Sequence, residues 1–552
     1  MNYKLLQYKI LREVNHRRIL VGFIVSLIGI IGSDFIINLL IEKKMLNLGS
    51  SAIFEITFSP EVWLATLALV LGTLIIVISI ASQETPRLIH LYLNNWLSIL
   101  FMWFVTLSSC HAIFFTFIGN SIHRPGSALL NTFIFLPIAV LGSLPYIFFI
   151  LNYSKMDHVI EVISNQLSKE FERIAFFSKA QILKYDKITP TAHRSLLDKV
   201  NQLMDLFSFV EYHETKKSIL RLLSHNLLVF IEKKEKNQFS DHVFVLTDEI
   251  KQDIGFSNYT SFQFQKMEKR KSFFEEKVLR ELGSMYNQFI KNENFELASN
   301  CCSKIVDFGK IALIRDNEIL LALVTVRLNT LFRYSINSGL HNTSTRAINN
   351  FIYQSGKLMD TMIIYKKERE LLRLFDFILI YGNELYLHSL KRNNLKFTVS
   401  YLLSEGKRAL LKINEEGWDD DFQSKLIKLI LKVDDPPFIL FEELKEDKTF
   451  NDKYRMILLG LALYYCSEKK FDLAMIIVDD LIKDLQNIPL NEKVKVFERS
   501  FSKIENTSMT FWEDTDRGTF NIYYSHDTHL IDPLMDVILE KLENNKGGEG
   551  RN

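Results

Sequence analysis

The sequence predicts an all-α protein: a four-helix transmembrane bundle, then an irregular α-solenoid-like (tetratricopeptide-like) cytosolic domain with a small β-hairpin near its C-terminus. Three observations predict it. Four apolar stretches fill the first 155 residues, and apolar residues at helical spacing run through most of the remainder. Glycine and proline, 21 and 10 among 552 residues, are too few for a loop-rich or disordered chain. Domains are accordingly expected at residues 1–155 and 156–542, with a disordered, glycine-containing tail at 543–552.

The four stretches cover residues 19–41, 62–82, 96–118 and 128–151, each meeting the requirement of about 20 apolar residues for crossing hydrocarbon as a helix. Nothing beyond residue 155 is expected to be long enough to do so. A cleavable leader is a poor reading of the first stretch, because no small-x-small site follows and Asp34 and Asn38 stand where one belongs. Basic residues set the orientation. Lys4, Lys9, Arg12, Arg17 and Arg18 precede the first stretch, Arg87 lies between the second and third, and Lys155, Lys169 and Arg173 follow the fourth. The positive-inside bias then predicts a multi-pass protein of the plasma membrane (a bacterial inner membrane) with both termini cytoplasmic.

Inside the spans, Asp34 and His111 are the two ionisable groups at depth, at similar levels of the first and third stretches, and they form a candidate intramembrane polar pair. Small residues offer packing stripes: Gly22, Ser26, Gly29 and Ser33 in the first stretch, Ala65, Ala68 and Gly72 in the second. Pro137 and Pro145 are expected to bend the fourth. The second stretch ends in Ile80-Ala81-Ser82-Gln83-Glu84-Thr85-Pro86-Arg87-Leu88-Ile89, in which Pro86 stops a helix at the inner interface and Arg87 reaches lipid phosphates. With Gln83, these two make a candidate interfacial motif. This string resembles one found between two spans in an uncharacterised bacterial family of predicted multi-span membrane proteins. The resemblance covers the N-terminal third, through Tyr153, His158 and Ile160, and implies no known reaction.

Beyond Met156 the pattern is amphipathic helices. Leu196, Val200, Leu203, Met204, Phe207 and Val210 form one core face, and Ile219, Leu223, Leu227 and Phe230 another. Residues 243–246 read as a short β-prone stretch, and alternating Phe520, Ile522 and Tyr524 after Asp516-Arg517-Gly518 predict the hairpin over 510–524. Two segments have the large-and-small order of a tetratricopeptide hairpin. In the clearer one Leu458, Leu461, Ala462 and Tyr465 face Phe471, Ala474, Val478 and Leu481 across a Glu468-Lys469-Lys470 turn. The other pairs Leu282, Met285, Tyr286 and Phe289 with Phe295, Ala298, Cys302 and Ile305. Their separation is no whole multiple of a repeat of about 34 residues, hence the expectation of an irregular array. Tyr465, Phe471 and Ala474 are the candidate partner-binding hairpin.

The formal net charge of +1 supplies no field to recruit nucleic acid, and four cysteines exclude a disulfide-stapled scaffold. Cys301, Cys302 and Cys466 are expected to be free thiols. No phosphate loop, nucleophile elbow, His-Glu-x-x-His or Cys-x-x-Cys motif occurs, so neither an enzyme nor a cofactor is expected. His526 and His529, with Asp527 or Asp516, are the best cluster for a metal, although capping of the next helix explains Ser525, Asp527 and Thr528 equally well. The function expected is a membrane-embedded sensor or scaffold, homo-oligomeric in the lipid bilayer, whose cytosolic domain binds a protein or peptide partner. The alternative is an ion channel or pore-forming effector with Asp34, His111 and Pro137 along its pathway.

Overall fold

The computed structural model describes residues 14–43, 59–84, 96–118, 125–153, 156–181, 188–341, 344–435, 452–486, 488–510 and 521–544. Apart from one bridge at Thr510, every regular element among them is helical. The chain divides into two compact units, Met1–Phe239 and Ser240–Asn552.

In the first unit four apolar helical stretches pack together. They are α1 (Val14–Glu42), α2 (Ser59–Glu84), α3 (Trp96–Ile118) and a broken helix of α4 (Pro125–Leu130), a π-helical turn (Asn131–Phe135) and α5 (Leu136–Tyr153). The π turn has a local cause. Pro137 has no N–H to give and its ring crowds the carbonyl four residues back, so the preceding turn widens and the Leu136 N–H reaches the Asn131 carbonyl instead. Their shared core includes Ile30, Trp63, Val105, Ala112, Leu130 and Phe135. Of the expected stripes, Gly22 does bring α1 against Ile99 of α3, where a side chain would have no room. The stripe on α2 is corrected: Ala65 and Ala68 face outward, and Trp63, Thr66 and Val70 make the buried face.

Three amphipathic helices complete this unit: α6 (Met156–Lys179), α7 (Ile188–Phe209) and α8 (His213–Glu235). Their apolar faces meet through Ile163, Leu167 and Phe171, Leu196, Val200 and Leu203, and Leu223, Leu227 and Phe230. Met204, expected in that core, is only partly buried, and Leu206 takes the buried place. Asn226 crosses the core to fix the register, donating to Ser164 Oγ at 2.7 Å and accepting from Ser168 Oγ at 3.0 Å.

The second unit opens with short elements. Residues 243–246, read from sequence as β-prone, belong instead to a 3-10 turn at Asp241–Phe244 and the chain just after it, because burying Val243 and Phe244 side by side suits a tight helical turn better than alternation. After α9 (Asp248–Lys251) and a 3-10 turn at Ile254–Phe256, Asp253 accepts from the Lys277 ammonium at 2.6 Å, with both side chains almost fully buried. Lys277 also pairs with Glu281 at 2.9 Å, so the buried ammonium is matched on two sides.

From there the chain is a stack of antiparallel helices: α10 (Ser261–Arg270), α11 (Phe273–Lys291), α12 (Phe295–Ile314), α13 (Glu318–His341), α14 (Arg346–Ile364), α15 (Glu368–Lys391), α16 (Asn393–Glu415), α17 (Asp420–Leu431), α18 (Asp452–Ser467), α19 (Phe471–Asp484), α20 (Leu490–Glu505) and α21 (Ile531–Asn544). Alternate helices form two layers. One holds α12, α14, α16, α18 and α20, and the other α11, α13, α15, α17 and α19.

One kind of turn recurs along the stack. Asp316, Lys366, Gly417 and Lys469 each end a helix in the left-handed conformation, 50, 51 and 52 residues apart. Each is followed by the same closure, in which the next N–H reaches back to a buried residue's carbonyl: Asn317 to Ala312, Lys367 to Met362, Trp418 to Ile413 and Lys470 to Tyr465. Consecutive turns are tied together. Lys367 pairs with Asp316 at 2.6 Å and Lys470 with Asp420 at 2.5 Å, and at the other edge Arg392 donates to the Leu340 carbonyl. The unit therefore repeats every 50 residues or so, a longer step than the tetratricopeptide one.

One further correction concerns length, and the C-terminal hairpin is described only at its ends. Glu318–Leu340 is long and apolar enough to cross a membrane by length and composition, against the expectation for that region, but half of that window is buried among neighbouring helices. Leu20–Glu42 and Gly126–Phe148 also qualify on those grounds, whereas Glu61–Thr73 and Ile99–Phe115 are shorter apolar runs. Of the hairpin over 510–524, Asn521 N–H donates to the Met509 carbonyl at 3.0 Å, but Tyr524 N–H then turns back to Asn521, and residues 511–520, including Asp516 and Phe520, lie outside the described residues.

Candidate functional site

The most concentrated polar chemistry in an apolar setting lies inside the first bundle. Asp34 and Asn38 are one helical turn apart on α1; Ser127 and Asn131 are one turn apart across α4 and the π turn. Such i,i+4 pairs project from one face. His111 of α3 stands between them. Its Nε2 is 3.9 Å from Asp34 Oδ1, within ion-pair reach though longer than a hydrogen bond, and Asn131 Nδ2 donates to its Nδ1 at 2.8 Å. With Nδ1 accepting, the ring proton sits on Nε2, the nitrogen that faces the carboxylate. Asn38 Nδ2 donates to Asp34 Oδ1 at 3.1 Å and to Ser127 Oγ at 3.0 Å, closing the set. Asp34, Ser127 and Asn131 are buried, and Asn131 Oδ1 has no hydrogen-bond partner. The structure brings the expected pair Asp34 and His111 together and adds Asn38, Ser127 and Asn131 to it. Their signal in the sequence is the i,i+4 spacing of Asp34 with Asn38 and of Ser127 with Asn131, which charge alone does not mark.

The exterior of the same bundle is apolar. Phe35, Leu141 and Phe148 are 66%, 73% and 69% exposed, and Ile28, Ile31, Leu64, Ile75 and Leu144 also point outward. Gln83 falls in the last turn of α2, while Pro86 and Arg87 lie outside the described residues.

At the hairpin of α18 and α19, Tyr465 and Ala474 are core residues. The Tyr465 hydroxyl donates to Gln423 Oε1 at 3.0 Å, and burial pushes its pKa up. Phe471, 59% exposed, is the member of that trio that presents surface. Cys301 and Cys302 are buried free thiols. Burial pushes the Cys302 thiol up to about 12 and Cys301 well above its usual value, so neither is poised as a nucleophile.

Among the described residues His526 and His529 belong to no group of three metal-ligating side chains, and Asp516 lies outside those residues. Among the described residues the arrangement with metal-like spacing is Asp434, Asp480 and Asp484, whose carboxylate oxygens lie within 4.8 Å of one another. Protons already answer for much of that charge. Burial and then Asp484 push Asp434 well up, burial and then Asp484 and Asp435 push Asp480 to about 7, and Tyr454 donates to Asp434 at 2.8 Å.

No family model and no curated protein matches the chain. Among solved structures, a circular tandem repeat protein with novel repeat topology and enhanced subunit contact surfaces is similar to it at 12% identity, over 89% of this chain and 99% of that one, with a TM-score of 0.27. An overlap so slight assigns neither fold nor role.

Proposed function

We propose that the protein is a multi-span membrane scaffold or sensor that carries a helical-repeat unit for docking a protein or peptide partner in the cytosol. The observation that carries this reading is the apolar exterior of the first bundle: large apolar side chains such as Ile28, Phe35 and Leu141 face outward, around a core that holds Trp63 and Val105 together with Asp34, Ser127 and Asn131. In water that exterior would associate or aggregate; in hydrocarbon it is at rest. The basic residues before the first apolar stretch and after the fourth favour cytoplasmic termini, and stacked helical repeats commonly offer extended surfaces to partners. Extraction of membranes at alkaline pH is the test. The full chain should stay in the pellet, and protease added from outside should spare the repeat unit; release into the supernatant overturns the reading.

A second reading is favoured by the cluster around Asp34 and His111, a set of polar groups costly to keep within an apolar bundle. Under it an oligomer passes ions along that cluster. Conductance in reconstituted bilayers, altered by Asp34→Asn, supports it; silence across voltage and pH removes it.

A further inference from the structure

Residues 521–530 lie against α16 and α18, and their only regular element is the 3-10 turn Thr528–Leu530. Lys407 of α16 donates to the Tyr524 carbonyl at 3.4 Å, and Asp527 is the acidic group whose charge reaches that ammonium. Ser525 is buried against Gly460 of α18, and the Lys407 ammonium occupies the space where a Gly460 side chain would begin, so glycine there makes room for the cation between the two helices. Lys453 of α18 lies 5.7 Å from the centre of the Tyr523 ring, His526 stands edge-on to Tyr524 at 4.8 Å, and the 3-10 turn Thr528–Leu530 rests on α18.

This is how a bound peptide is held rather than how a core is built. The segment's backbone pairs mainly with itself, through Tyr523 N–H to Asn521 Oδ1 and Tyr524 N–H to the Asn521 carbonyl. Its hold on the helices comes from side chains set into places the helices provide. Lys407 is the clearest sign. A packing position would be cheaper with an aliphatic residue, and burial here pulls the lysine down to about 8, whereas an anchor for a carbonyl and a carboxylate needs the ammonium.

We propose that the face of α16 and α18 around Lys407 and Gly460 is the docking site for an extended peptide with two adjacent aromatic side chains and a carboxylate three residues on, and that residues 521–530 occupy it in cis as an internal ligand. The proposal rests on the partner-docking part of the function above and names its surface and the partner's chemistry. Release of the internal segment then becomes the step that a partner must drive, because a tethered ligand competes at an effective concentration on the order of millimolar.

The test uses the full chain in detergent and a fluorescent decapeptide, Asn-Ile-Tyr-Tyr-Ser-His-Asp-Thr-His-Leu, followed by anisotropy. Wild type should bind it weakly. Tyr523→Ala combined with Asp527→Asn weakens the cis segment and should tighten peptide binding at least tenfold, and adding Lys407→Met should abolish that gain. Equal binding to wild type and the double variant overturns cis occupancy, and no saturable binding to either overturns the site. Should the double variant lose hydrogen-exchange protection in α16 and α18, wild type decides: excess peptide must speed exchange of residues 521–530 severalfold while α12 and α13 stay unchanged, and unaltered exchange overturns the proposal. None of these readings depends on how the chain partitions in alkaline extraction, so the membrane reading and this one fail separately.

Discussion

The apolar bundle and the repeat unit are made from the same kind of element and differ in what their outer faces carry. Around Phe332 the repeat unit is built as water demands: the ring stacks on Phe351 at 4.6 Å and meets Tyr381 edge-on at 5.5 Å, joining α13, α14 and α15, while ion pairs such as that of Arg408 with Asp360 lie toward solvent. In the bundle, Ile28 and Phe35 face out while Asp34, Ser127 and Asn131 face in. Apolar content alone does not separate the two, since Glu318–Leu340 passes the same length and composition test as Leu20–Glu42. What separates them is how much of the apolar surface the neighbouring helices cover: 50% of the Glu318–Leu340 window is buried, against 22% of Leu20–Glu42.

That contrast can be broken or sharpened by measurement. Phe332→Ala should cost the repeat unit about 3–5 kcal/mol, because a fully buried ring leaves a cavity among three helices; denaturant unfolding followed by tryptophan fluorescence checks it, and a loss below about 1 kcal/mol would mean that this core is loosely packed. Next come two lysines placed at exposed isoleucines. Ile28→Lys should oppose bilayer insertion by about 2.5–3.5 kcal/mol, read as glycosylation-tagged insertion, whereas Ile364→Lys, 55% exposed in the repeat unit, should change stability by less than about 0.5 kcal/mol. Equal effects would erase the distinction.

Smaller effects test the repeat unit from within. Asp480 keeps a proton up to about pH 7 in the folded chain, while the unfolded carboxylate releases it near 4. The native state thus binds more protons between those values, so this stabilisation is complete below about pH 4 and falls as pH rises to about 7. Asp480→Asn should therefore add about 1–2 kcal/mol at pH 8 and almost nothing at pH 4, measured as the shift in denaturant midpoint. At the turn, Gly417→Ala should cost about 1 kcal/mol in the same measurement, since φ of +67° suits glycine, although the same turn elsewhere tolerates Asp316, Lys366 and Lys469.

Much of this was legible in the residues. Three-to-four spacing located the helices, and the predicted core positions from Leu196 to Phe230 are buried with Met204 as the partial exception. The repeat was harder to see because its period resides in backbone geometry: Ala312, Met362, Ile413 and Tyr465 occupy one position in four turns and share only burial. The 3-10 turn at Asp241–Phe244 shows the reverse failure, where β-branched and aromatic content suggested a strand that local packing does not form. Of the candidate sites, charge drew attention to Asp34 and His111, but nothing local marks Lys407 as the residue that the C-terminal segment covers, because its partner is 117 positions away.

The constant step between like turns carries a consequence for how such a chain is edited. Cutting after Lys366 and rejoining after Gly417 removes one α16-containing module while splicing one left-handed corner onto another of the same kind. Inheritance or design can lengthen or shorten the array in whole increments, as with bricks cut to a common mould, and the junction needs no new shape. The excised stretch contains Lys407, so the segment at 521–530 would lose its anchor.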